Sequence, residues 1–223
     1  MNPRYERNIP ALSQAECEIL LRKRVLVVGC GGLGGHLIDM LARIGVGALR
    51  VVDGDVFEPS NLNRQLLSEV PLLGVSKARA AAARVSRVNP EISVEAVDTF
   101  LTEKNARGLL LSCDVVLDGL DNIESRRILA EECQRAGIPY IYGAVNGWVA
   151  QAAISMPGDH LVQRLYPEGA VLKNKSVLSF TPALCASMQV ALCVKLLTGR
   201  PVETGKLYYF DLLNQEFESI PMA

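Results

Sequence analysis

A run of apolar residues ending in a cluster of glycines constrains this chain more than any other feature. Val25, Leu26, Val27 and Val28 lead directly into Gly29-Cys30-Gly31-Gly32-Leu33-Gly34. A continuous apolar run of this length suits a parallel strand buried on both faces. Beyond the glycines, Leu33, Leu37, Met40, Leu41 and Ile44 recur at helical spacing, and Gly45 and Gly47 stop the helix. Residues 49–53 supply a second strand. The unit is strand–helix–strand, for which a right-handed crossover is expected.

The alternation continues along the chain. An alanine-rich helix is predicted over 75–88, a strand over 92–97, a helix over 102–112, a strand over 114–120, a helix over 123–136 and a strand over 139–145. Repeated strand–helix alternation implies a doubly wound sheet. After Gly147 the pattern changes: residues 148–156 read as a strand with Trp148 in the core, 157–180 as irregular, and 182–198 as a buried helix. Residues 206–221 read as two antiparallel strands turned near Asn214 and Gln215. At the other end, Ser13 and Glu16 form a capping-box signature for a helix over 13–22. The fold class is therefore α/β, a Rossmann-like doubly wound, mainly parallel sheet with antiparallel C-terminal strands. One domain is expected, with an arm over 1–23, a Rossmann-like part over 24–147, and a crossover loop and C-terminal part over 148–223.

Composition excludes several function classes. The chain has 223 residues, is 49% hydrophobic and carries a formal net charge of −1, which argues against broad nucleic-acid or membrane-surface binding. The N-terminus is charged and has no apolar signal segment. The apolar stretch 182–197 contains Gln189 and Lys195 and is short for a bilayer, so a cytoplasmic location is expected. The six cysteines include no C-x-x-C pair; no zinc is expected, and the thiols read as scattered and mostly buried.

Three motifs carry chemistry. Gly29, Gly31, Gly32 and Gly34 fit G-x-G-x-x-G between a strand and a helix, with Asp53 about 20 residues on. Glycines let phosphate approach the backbone, and the helix N-terminus offers free N–H groups with a partial positive charge. Asp53 can accept hydrogen bonds from a ribose. This motif alone does not separate a dinucleotide from ATP. The second motif, Asp55 through Gln65, holds Ser60, Asn61, Arg64 and Gln65 in a polar loop suited to pyrophosphate charge. Arg64 can hold phosphate bidentately, and Lys77 is a further candidate cation, although a solvated helix lysine is the plainer reading. The third is Asp118-Gly119-Leu120-Asp121-Asn122 at the end of a strand, where ligands of open α/β sheets bind. Asp121 can hold Mg²⁺ or cap the next helix.

Taken together these segments resemble the ThiF/MoeB/HesA family, bacterial relatives of ubiquitin-activating enzymes. The matching pieces include Arg4-Tyr5-Glu6-Arg7-Asn8, the glycine turn, Asp53-Gly54-Asp55, Ser60-Asn61-Leu62-Asn63-Arg64-Gln65, Gly74-Val75-Ser76-Lys77, Val88-Asn89-Pro90 and Asp118 to Asn122. The resemblance implies an adenylyltransferase that uses ATP and Mg²⁺. Its acceptor would be the C-terminal glycine carboxylate of a ubiquitin-like, Gly-Gly-ending sulfur carrier of thiamine or molybdopterin synthesis. It also implies roles: Gly32 along the phosphates, Asp53 on the ribose, Asn61, Arg64 and Lys77 on the triphosphate, and Asp121 supporting magnesium, with Asn122 among the nucleotide-binding residues. Arg7 would reach the ATP of the other subunit of a homodimer. A carboxylate is already nucleophilic at neutral pH, so no Ser-His or Cys-His base is required.

The chain departs from the family in lacking the two zinc-binding C-x-x-C pairs and a cysteine in the crossover loop. Cys185, just beyond it, reads as a buried helix residue, His36 and His160 as ordinary helix and loop residues, and Trp148 as core, with contact to the carrier's tail as its other reading. Other readings are activation of a small-molecule or tRNA-borne carboxylate, a nucleotide-binding scaffold without catalysis, or a dinucleotide-dependent oxidoreductase.

Overall fold

The computed structural model describes residues 2–171 and 176–222. The elements run α1 (Gln14–Leu20), β1 (Arg24–Val28), α2 (Gly32–Ile44), β2 (Ala48–Val52), α3 (Lys77–Val88), β3 (Ser93–Val97), α4 (Glu103–Leu110), β4 (Val115–Asp118), α5 (Ile123–Ala136), β5 (Tyr140–Asn146), β6 (Val149–Ser155), α6 (Leu161–Leu165), α7 (Phe180–Leu197), β7 (Lys206–Asp211) and β8 (Glu216–Pro221). One sheet holds all eight strands in the order β3-β2-β1-β4-β5-β6-β7-β8. The first five in that order are parallel, and β6, β7 and β8 add on antiparallel.

Local chemistry sets the ends of these elements. Ser13 and Glu16 form the capping box of α1, Gly45 closes α2 at φ 94° and Gly137 closes α5 at φ 68°. Ser76 caps α3 by accepting from Arg79 N, so Val75 lies outside the helix expected over 75–88. Two corrections concern the C-terminal part. The stretch expected to be irregular contains the short helix α6. Trp148 is not in the core: it is 44% exposed and packs on Phe180 with ring centroids 5.1 Å apart. Position accounts for this, since Trp148 sits at the turn between β5 and β6.

The sheet core has two apolar layers, one against α2, α3 and α7 and the other against α4, α5 and α6. Helix α7 is apolar and long enough to cross a membrane, yet 56% of it is buried within the fold. There its Gln189, fully buried, donates from Nε2 to Asp118 O at 3.0 Å and Ile141 O at 3.1 Å, tying the helix to the adjoining strands.

Strand order reverses between β1 and β4, so their carboxyl ends part and open a crevice. The turns leaving the two strands touch: a Cβ on Gly29 would lie 2.5 Å from Gly119 O, and one on Gly34 would lie 1.7 Å from Gly29 O. Gly34→Ala is therefore expected to lose about 2–3 kcal/mol or more of unfolding free energy, as overpacking against rigid backbone does. Gly108→Ala on α4, where a Cβ meets nothing within 4 Å, should gain about 0.5–1 kcal/mol. Denaturant titration of both variants checks the pair; equal responses would contradict this packing.

Candidate active site

The crevice is a cavity of about 680 Å³ at the carboxyl ends of the strands. Its floor is the turn between β1 and α2. Gly31 is the N-cap residue of α2, and no side chain caps that helix end, so its first N–H groups face the cavity side as an anion seat. Asp53 braces the turn: Oδ2 accepts from Cys30 N at 2.7 Å and Oδ1 from Asp55 N at 2.8 Å. Burial pushes the Asp53 carboxyl above its ordinary value, and those two N–H donors oppose the shift.

The loop after β2 folds back on the start of α3 through backbone pairing of Val56 with Ser76 and a bond from Lys77 N to Asp55 O at 2.9 Å. That return places Lys77 at the cavity wall, 7% exposed, its Nζ 3.1 Å from Asp55 Oδ2. The expectation of a solvated helix lysine is thus replaced by a buried ammonium beside a carboxylate. Arg64 also lines the cavity, with Nη1 held by Ser60 O at 2.8 Å and Asn63 Oδ1 at 3.0 Å. Gln65 is 7% exposed and lines the cavity beside Gly31, and its Oε1 is buried with no hydrogen-bond partner.

Asp121 and Asn122 form the opposite lip. The sequence left Asp121 open as a helix cap; the structure gives that role to Asn122, whose side chain accepts from Ser125 N at 2.9 Å. Asp121 therefore stands at the cavity rather than in the cap. Gly29, Gly31, Gly32, Asp53, Asp55, Arg64, Gln65, Lys77, Asp121 and Asn122 all line this one cavity. Four sequence candidates do not. Gly34 serves helix–strand packing. Asn61 is buried in the 3-10 turn Pro59–Asn61, its Oδ1 accepting from Glu58 N at 3.0 Å, and neighbouring Ser60 is exposed. Arg7 is exposed on the N-terminal 3-10 turn Pro3–Asn8, outside this cavity.

Several lining residues were not singled out from sequence. Thr99, Phe100 and Leu101, after β3, form one end of the cavity, and Arg126, Tyr142, Gln151 and Tyr166 the other. They stand in no motif; the one signal was that strand ends of a doubly wound sheet converge. Among the described residues no group of three or more His, Cys, Asp or Glu side chains is arranged to hold a metal. A Mg²⁺ held chiefly by phosphate oxygens and water needs only one or two carboxylates, and Asp121 fits that lesser demand.

Comparisons with known proteins agree with this architecture. The ThiF family pattern matches residues 5–223. The chain is 38% identical over 210 residues to the SAMP-activating enzyme E1 of Haloferax volcanii, covering 91% of this chain and 77% of that protein. It is 35% identical to the protein described as "Probable adenylyltransferase/sulfurtransferase MoeZ" of Mycobacterium tuberculosis, covering 97% of this chain and spanning 59% of that protein. The crystal structure of Escherichia coli MccB with ATP superposes at a TM-score of 0.83 with 23% identity, over 100% of this chain and 72% of that one, a likeness of fold.

All six cysteines are free and buried. Burial raises the Cys185 thiol to about 12, and its Sγ lies 3.2 Å from Gln151 O. Native protein should therefore react with an alkylating thiol reagent far more slowly than denatured protein, which should take up six labels by intact mass. Rapid labelling of one native cysteine would contradict the packing.

Proposed function

This chain belongs to the ThiF family, and from that premise we propose that it is an ATP-dependent adenylyltransferase acting on the C-terminal glycine carboxylate of a ubiquitin-like sulfur carrier. One observation carries the reading: the uncapped glycine turn, the acid Asp53, the cations Arg64 and Lys77, and Asp121 share a single cavity. The named activities of its relatives support it, since one activates SAMP and another is described as an adenylyltransferase.

The chemistry follows from charge. A carboxylate oxygen of the carrier attacks the α-phosphorus of ATP, the bond to the β-phosphate oxygen breaks, and pyrophosphate leaves. The products are an acyl-adenylate and pyrophosphate. The nucleophile needs no deprotonation, so catalysis is positioning and neutralisation of charge on the leaving group. The α2 N-terminus and Gly32 cradle phosphate, and Asp53 accepts from the ribose through lone pairs its backbone bonds leave over. Arg64 and Lys77 meet the departing pyrophosphate. Asp55, paired with Lys77, keeps that ammonium aimed along the wall. Asp121 would hold Mg²⁺, which when bound draws charge from the phosphate oxygens. Asn61 acts by shaping the loop that carries Arg64. Arg7, outside its own cavity, serves the site of a second copy in a homodimer.

Trp148 and Phe180 stand exposed and packed together beside cavity-lining Val149, which supports an apolar landing for the carrier tail at this end of the cavity. The reaction occurs in the cytoplasm, where carrier and ATP meet.

The test is ATP–pyrophosphate exchange with a carrier ending in Gly-Gly. Lys77→Ala and Arg64→Ala should each lower the exchange rate by about 10²–10³-fold, the loss typical of removing one preorganised charge-stabilising group. Unchanged exchange in both would remove the basis of the reading. Mixing inactive Arg7→Ala with inactive Lys77→Ala should restore roughly a quarter of the sites, because half the dimers are mixed and each has one complete site. Continued inactivity of the mixture would refute the shared site.

A further inference from the structure

One buried side chain ties the Asp121 loop to the end of the cavity formed by Tyr142 and Tyr166. Arg126, in the first turns of α5, is 3% exposed. Its Nε donates to Asp118 Oδ2 at 2.9 Å. Nη2 donates to Leu120 O at 2.6 Å and to Gly143 O at 2.9 Å. Nη1 donates to the Tyr166 hydroxyl at 3.0 Å. The rings of Tyr142 and Tyr166 flank the guanidinium at 5.4 and 5.8 Å, and their hydroxyls lie 2.6 Å apart.

These partners belong to different parts of the site. Leu120 is the residue before Asp121, in the loop proposed to serve the phosphates and metal. Tyr166 follows α6 and begins the segment that crosses to α7, next to Tyr142 and Gln151, at the end remote from Phe100. Burying a guanidinium costs several kcal/mol before its partners compensate. Here the Asp118 carboxylate offsets that cost, so the charge is spent within the protein and is not available to a phosphate. What the fork supplies is geometry: a planar group with fixed donor directions holds a carbonyl on one wall and a hydroxyl on another in one rigid unit. The adjacent Arg127 holds the same segment differently, donating from Nη2 to Tyr166 O at 2.8 Å and Pro167 O at 2.7 Å. The backbone of Tyr166 is thus anchored independently of its hydroxyl.

We propose that Arg126 is a positioning residue that couples the Asp121 loop to Tyr166, so that nucleotide bound against that loop orders Tyr166 at the end of the cavity that would receive the carrier's carboxylate. The inference rests on the function proposed above and adds a coupling between its two substrates. Such coupling is reciprocal: nucleotide strengthens binding of the carboxylate substrate by the factor with which that substrate strengthens nucleotide binding.

The experiment uses the full chain and Mg²⁺ with α,β-methylene-ATP as probe. Calorimetry measures its affinity, and amide hydrogen exchange is followed in peptides covering 119–122 and 161–171. In the wild type, the probe should slow exchange in both. Tyr166→Phe keeps the ring and the Arg127 anchors while removing the hydroxyl. It should keep probe affinity within about twofold and the response at 119–122, and lose about tenfold or more of the slowing at 161–171, the scale of losing the hydroxyl's bonds to Arg126 and Tyr142. Wild type should bind the probe more tightly with carrier present, and Tyr166→Phe should lose that enhancement, and the matching enhancement of carrier binding by the probe, by the same factor. Arg126→Lys, which keeps the charge and loses the fork, should lose the response at 161–171 as well. If that variant does not fold, Tyr166→Phe decides alone. An undiminished response at 161–171 in Tyr166→Phe overturns the coupling. Failure of the wild type to bind the probe is a different result, which overturns the nucleotide reading and the coupling with it.

Discussion

The contact between two glycine turns, at Gly29 and Gly119, is the constraint on which the rest of this structure depends. Each would place a Cβ within 2.6 Å of the other's carbonyl oxygen, so the turns can approach only because neither carries a side chain. Their closeness sets the cavity floor. It fixes where β1 releases the chain into α2 and where β4 releases it toward Asp121, and it brings the uncapped end of α2 opposite that acid. Gly34 extends the same logic one turn into α2, where its lack of a side chain lets helix and strand close together.

Charge is organised around that floor in two distinct ways. Lys77 and Arg64 are held by neighbours yet still present themselves to the cavity, which suits groups that must meet a ligand's negative charge. Arg126 is used up internally by Asp118 and by carbonyl oxygens, which suits a strut. The distinction is physical: a cation whose donors are already satisfied by buried protein acceptors has little left for a ligand, whereas Lys77 beside the half-exposed Asp55 carboxylate, and Arg64 held through one guanidinium nitrogen by acceptors of its own loop, can exchange partners.

Much of the Gly29–Lys77 side of the cavity was legible in the sequence because local chemistry writes it there. The glycine spacing, Asp53 at the end of β2, and Arg64 and Gln65 in a polar loop each follow from what a short segment must do. The capping box at Ser13 and the glycine stop at Gly45 were legible for the same reason. Lys77 was harder, since a lysine in the first turn of an alanine-rich helix looks solvated. Only the pairing of the Asp55–Phe57 segment with residues 73–77 buries it. Trp148 was misplaced because an aromatic residue among apolar neighbours resembles core, whereas a tight turn at Gly147 turns it outward. Asn61 carried a site-like signal, but its side chain is occupied by the backbone of its own loop. Arg126 and Tyr166, 40 residues apart, left no local trace of their contact.

The order of strands and helices, the glycine turn and the charged candidates were determined by the sequence alone, because periodicity, backbone freedom and charge are properties of neighbouring residues. The assembly of those candidates around one cavity, the burial of Lys77 and the tie between the Asp121 loop and Tyr166 through Arg126 were decided by the tertiary structure. Those features depend on which segments the parallel sheet brings side by side, and on how burial changes the cost of a charge, neither of which any single segment contains.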